Sequence, residues 1–213
     1  ADDRRDFWKG TGLNFSSDYE INSKSGLGFV IDYGSGKSGM DIMNTSDYFQ
    51  NQNYTNTLST YAEHRNDNRQ ATVSAYYDLK FGKRSNKLSI TGNYFSNTPS
   101  SNIDFTTQDN SANSYVVRTP SELDYKIYSG QADLTLPFEF AKTEAGIKFT
   151  NFDNNSDLQY QNFIGQDYVT DPLKSDLFNY NEKNYAAYVG MERQLGEKWT
   201  VKAGLRYEYS TIT

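Results

Sequence analysis

Residues 71–81 read ATVSAYYDLKF, in which Ala71, Val73, Ala75, Tyr77, Leu79 and Phe81 alternate with Thr72, Ser74, Tyr76, Asp78 and Lys80. Such period-two alternation belongs to an extended strand whose two faces meet different surroundings. Both flanks of the stretch repeat it. On the N-terminal side, Leu13, Phe15, Tyr19 and Ile21 face away from Asn14, Ser16, Asp18 and Glu20, and Leu27, Phe29, Ile31 and Tyr33 form a second apolar row. On the C-terminal side come Leu88, Ile90 and Tyr94, then Tyr128, Ala132, Leu134, Leu136 and Phe138, then Ala145, Ile147 and Phe149. Tyr185, Ala187, Val189 and Met191 follow, and finally Trp199, Val201, Ala203, Leu205, Tyr207 and Tyr209. Eight strands are expected.

The connections carry the next signal. Short turns are expected near 22–25, 82–87, 139–144 and 196–198, and long loops near 34–69, 98–123 and 153–182. Short and long alternate throughout. Structureless loops beyond ~12–15 residues are uncommon in a compact soluble domain, whereas outer-membrane barrels join strands by short periplasmic turns and longer extracellular loops. The composition agrees: aromatics make up 15% of the chain although its mean hydropathy is low, a balance that suits strands with one oily face and one wet face. The expected fold is therefore an all-β, antiparallel, up-and-down transmembrane β-barrel, with 1–213 as a single segment of about four hairpins in the outer membrane. A sheet crosses lipid only when closed, because every backbone N–H and C=O must be paired there. Two rivals remain at this point: a self-contained eight-stranded structural or adhesive barrel, and a soluble β-sandwich that binds carbohydrate.

Several functions are disfavoured. A net charge of -6 argues against nucleic acid. With no cysteine and one histidine, His64, which reads as a surface residue in or beside a long loop, thiol and imidazole chemistry have little to draw on. Gly34-Ser35-Gly36-Lys37-Ser38 is reminiscent of a phosphate loop but lacks its first glycine, and reads as the start of a flexible loop. Asp153, Asn155 and Asp157 have the opening spacing of a calcium loop, but Leu158 stands where the turn glycine belongs and Ile164 where the closing glutamate belongs. They read as a solvated polar loop. Nothing fixes Asp124, Asp133 and Glu192 as an acid–base pair. No enzyme, metal or cofactor is expected. The candidate lumen-facing residues are Asp133, Lys148, Glu192, Lys202, Arg206 and Glu208, where charge pairing across strands is the competing reading. Tyr48, Tyr54, Tyr160 and Tyr168 in the long loops are candidate ligand contacts, since aromatic and amide side chains together suit sugars.

The last hairpin adds a resemblance. Residues 184–191 (NYAAYVGM), 195–199 (LGEKW) and 203–209 (AGLRYEY) resemble the barrel of TonB-dependent outer-membrane receptors, and most of all their Bacteroidetes branch. The resemblance implies a barrel of about 22 strands with a plug inside it. It also implies coupling to TonB, a possible surface substrate-binding lipoprotein, and scarce nutrients such as iron chelates, cobalamin or glycans as solutes. No plug segment or TonB box is visible, and the chain stops at Ser210-Thr211-Ile212-Thr213 without a terminal aromatic. The expectation is an arc from the middle of such a barrel.

Overall fold

The computed structural model describes residues 2–82, 84, 86–111 and 113–213. It is one antiparallel sheet of β1 (Asp2–Asn22), β2 (Ser25–Gln50), β3 (Asn53–Phe81), β4 (Asn86–Asn97), β5 (Ser100–Gln108), β6 (Ser114–Pro137), β7 (Lys142–Leu158), β8 (Gln161–Ile164), β9 (Asp167–Thr170), β10 (Asp176–Leu195) and β11 (Trp199–Ile212). The main path runs β1-β2-β3-β4-β6-β7-β10-β11. These are the eight strands expected from the alternation. β5 prolongs β4 without a change of register: Gln70 pairs Asn97 and Asp67 pairs Ser100, across a break at Thr98-Pro99. β8 prolongs β7 in the same way, since Ser121 pairs Leu158 and Arg118 pairs Gln161.

Much of each expected loop is strand. Residues 34–50 and 53–69 continue β2 and β3 to a two-residue reversal at Asn51 and Gln52, both with positive φ (53° and 67°), as a type I′ hairpin turn requires. Segment 98–123 contains β5 and the start of β6, and segment 153–182 contains the end of β7, β8, β9 and the start of β10. Ladder hydrogen bonds are made by backbone groups and persist where both faces become polar, but the alternation that reveals a strand in sequence then vanishes. The chain also reverses at Ser23-Lys24, between Pro137 and Lys142, and at 196–198. The expected turn at 82–87 falls partly outside the described residues, at 83 and 85.

Among the described residues no second layer packs on this sheet. Among the described residues only Ala141 and Ala186 are buried apolar side chains, and no large side chain is fully buried. A sandwich would hide residues 71–81 between two sheets; here Val73 and Phe81 remain 36% and 38% exposed. Directly opposed residues share a face, so the register shows how the apolar rows combine. Leu13, Tyr33 and Ala71 are joined in one rung, and another runs Ser17–Phe29–Ala75–Gly92–Gly130–Phe149–Tyr185–Tyr209 across all eight strands. Every apolar row read from the sequence falls on the same face.

That face has sloping borders. From the rung just named, the short-turn end lies five residues away on β1 (Asn22), six on β3 (Phe81), seven on β6 (Pro137) and ten on β10 (Leu195). At the opposite border Tyr33 lies four residues beyond the rung, Tyr94 and Tyr128 two, and Tyr185 and Tyr209 on it. Both borders drift the same way by four or five residues over about six strand spacings. With ~3.3 Å per residue and ~4.8 Å between strands this is a strand tilt of roughly 30°, near the tilt of closed barrels. The band between the borders is about ten residues, or ~33 Å of strand; tilted, it matches an apolar belt of ~25 Å.

Candidate functional site

Beyond the tyrosine border the lipid-side face changes from oily to charged. Lys37 pairs Asp67 (3.0 Å), Arg65 pairs Asp41 and Glu63 (both 2.6 Å), and Arg118 pairs Asp104 (2.6 Å). The strands have left the hydrocarbon there, so the outward face is wet again. Asp153, Asn155 and Asp157 lie on one face of β7, and Gly34 to Ser38 lie inside β2; strand replaces the expected loop in both places. His64 is likewise in β3, half-buried, with Nε2 3.0 Å from Ser101 Oγ, not a free surface residue.

The opposite face is the polar one, and it carries all six lumen candidates. Asp133, Gly146, Tyr188 and Arg206 share one rung with Asp78 and Ser89; Lys148 and Glu208 share the next, with Tyr76, Thr91 and Gln131. Four of the six candidates pair locally. Glu192 meets Lys202 at 2.7 Å across β10 and β11, and Arg206 pairs Glu208 along its own strand. Asp78 accepts from Ser89 (2.5 Å) and pairs Lys87 (3.1 Å).

The alternation did not reveal a device that occurs twice on this face. Asp18, Gly28 and Tyr76 stand opposite one another on β1, β2 and β3, and Asp133, Gly146 and Tyr188 do so on β6, β7 and β10. In each set the tyrosine lies over the glycine and its hydroxyl donates to the aspartate on the far strand. A Cβ on Gly146 would sit 2.5 Å from the Tyr188 ring and 2.6 Å from Asp133 Oδ1, so only glycine leaves room for the bridge. Gln131 Nε2 donates to Asp133 (2.7 Å) and to Tyr188 Oη (3.0 Å), and Arg206 stacks 5.4 Å from the Tyr188 ring.

The four tyrosines proposed as ligand contacts fall on two ribbons. Tyr48 and Tyr54 flank the tip of the β2–β3 ribbon, where Tyr54 stacks edge-on against Phe49 at 5.9 Å and accepts from Asn110. Tyr160 and Tyr168 belong to the β7–β10 connection, and the chain's own cations occupy a ring face of each: Lys174 at 4.3 Å and Arg118 at 4.1 Å. Tyr48 and Tyr54 keep the freer rings. The alternation does not single out a further aromatic on this sheet. Trp8, on the polar face and 76% exposed, lies along a floor formed by Gly10, Gly12, Gly34 and Gly36 beside Asn66, Asn68 and Gln70. The clustered glycines at 10–12 and 34–36 were the signal for it.

The turn that holds Asn110 depends on a carboxylate. Asp109 accepts from the backbone of Ser111 (2.8 Å) and Asn113 (3.0 Å) and from the Asn113 side-chain amide (3.0 Å). The Asn113 amide foremost, with the two backbone donors, holds the Asp109 carboxyl below its ordinary value. A depressed acid stabilises the fold above the ordinary carboxylate range and loses that contribution as pH falls through its folded value. The Ser111 and Asn113 amide resonances are therefore expected to shift only below the usual aspartate range of about 4. NMR of the protein in micelles checks this, and Asp109→Asn should abolish the transition.

The sheet thus has an apolar belt of membrane height, aromatic borders and a charge-paired reverse face. Residues 79–213 match the outer membrane protein beta-barrel family. The chain belongs to that family. Its members' setting, the outer membrane, is where the apolar belt is satisfied. No curated protein sequence matches the chain. Among solved structures, a chain of the FpvAI–pyocin S2 complex is similar at a TM-score of 0.54 and 10% identity, over 97% of this chain and 36% of that one. The ferripyoverdine receptor of the outer membrane of Pseudomonas aeruginosa, bound to ferripyoverdine, is similar at 0.51 and 12%, over 99% of this chain and 37% of that one. The likeness is one of fold. This family member spans a little over a third of the length of those chains.

Proposed function

We propose that these strands form part of the wall of a TonB-dependent transporter barrel that imports a scarce nutrient, and that they perform no catalysis. The observation that carries the reading is the joint geometry of the two faces: an apolar belt on one, and on the other a polar wall that carries ion pairs. Among the described residues β1 and β11 do not pair with each other, and this supports an arc of a wider barrel over a closed eight-stranded one. The lumen row of Asp133, Lys148, Glu192, Lys202, Arg206 and Glu208 then meets the plug or passing solute. Tyr48 and Tyr54 are the first aromatics a solute reaches. The partners on this reading are outer-membrane lipid, the plug, TonB and a surface lipoprotein that delivers solute.

Two measurements on the full-length protein test the reading. A cysteine at Asn53 should label on intact cells with a membrane-impermeant thiol reagent, and the absence of cysteine from these 213 residues keeps their background clean. Growth on the limiting nutrient should require both this gene and TonB. Uptake that persists without TonB, or an Asn53 site that labels only in broken cells, rejects the proposal.

A further inference from the structure

The lipid-side face is not uniformly filled. Gly92 on β4 and Gly130 on β6 stand directly opposite each other within the belt. A Cβ added at either would meet nothing within 4 Å. Bulky neighbours surround the bare patch. Tyr94 and Tyr128 lie tilted against each other just beyond it at 5.0 Å, and Phe149 and Tyr185, also 5.0 Å apart, wall one side. The result is a groove of about 690 Å³, within the ~300–1,000 Å³ of small-molecule sites. Ile90, Ala132, Ile147, Ala187, Tyr207 and Tyr209 also belong to its lining. Lys183 lies on this same face, one outward step beyond Tyr185, opposite Asn151 and Thr211. Among the described residues it has no ion-pair partner. Lys126, one step beyond Tyr128, is held by Asp124 at 2.6 Å, with Asp153 directly across from it.

We propose that this groove holds one ordered acyl chain of a membrane lipid, whose phosphate headgroup lies against Lys183. The belt is immersed in lipid, so a tail is the apolar group at hand, and filling the glycine floor recovers contacts that a disordered tail leaves unmade. A cation at the interface then selects for anionic headgroups. The inference needs the outer-membrane setting but not the transport reading.

The full-length protein, reconstituted in nanodiscs of equal phosphatidylglycerol and phosphatidylcholine and extracted into mild detergent, tests it by native mass spectrometry. Wild type should retain phosphatidylglycerol. Gly92→Val with Gly130→Val should lower the retained lipid about tenfold, with a melting temperature unchanged or raised, because the added side chains enter open space. Lys183→Ala should erase the preference for phosphatidylglycerol while leaving a lipid bound. Equal lipid retention in the filled, folded variant overturns the proposal. So does a filled variant that turns an oligomer into a monomer at constant lipid count, since the groove would then seat a second copy.

Discussion

Leu205→Arg is expected to destabilise the folded barrel by about 2–4 kcal/mol, the cost of placing a cation on the lipid face near the bilayer midplane. Leu205 is 80% exposed, pairs with Val189, and lies between Trp199 and Tyr209, the two ends of the belt on β11. Urea-driven refolding into lipid vesicles measures the cost. Thr200→Arg places the same charge on the polar face of the same strand and should stay within about 0.5 kcal/mol of wild type. Equal losses for the two would mean that the faces do not see different solvents.

Gly146→Val is the second large effect, expected at about 1–3 kcal/mol, the usual range for overpacking. The valine would occupy the space of the Tyr188 ring, which then loses Asp133 as its acceptor. Refolding midpoints check the cost, and a double-mutant cycle checks the cause. In a Tyr188→Ala background the same valine should cost far less, because the ring it displaces is already gone. Additive costs would mean that the glycine serves some other need. Gly28→Val, beneath Tyr76, should behave alike.

The legibility of this fold follows the solvent. Along residues 71–81 and 199–209 one face meets lipid and the other water, so alternation exposed the strands, and the register then placed every apolar row on one side. Beyond Tyr33 and Tyr128 both faces meet water. Residues 34–69 therefore gave no alternating pattern, although their backbones pair up to Asn51 and Gln52 with a single register shift between Tyr48 and Phe49. The turn there uses Asn51-Gln52 in place of the Asn-Gly that marks such hairpins, which removed the remaining clue. The six lumen candidates were readable because a strand fixes the facing of its side chains. Their partners were less so. Arg206 finds Glu208 two residues away, but the Tyr76–Asp18 and Tyr188–Asp133 bridges join residues 58 and 55 positions apart. Sequence spacing alone does not encode which strand lies two ladders over.

The most direct measurement of the central idea is a thiol-accessibility scan of β11 in the full-length protein within lipid vesicles. Single cysteines at Val201, Ala203, Leu205 and Tyr207 should resist a hydrophilic thiol reagent and react with a lipid-soluble one, while those at Lys202, Arg206 and Glu208 should show the reverse. A profile that is flat along the strand, or protected at the even positions and open to water at the odd ones, would contradict it.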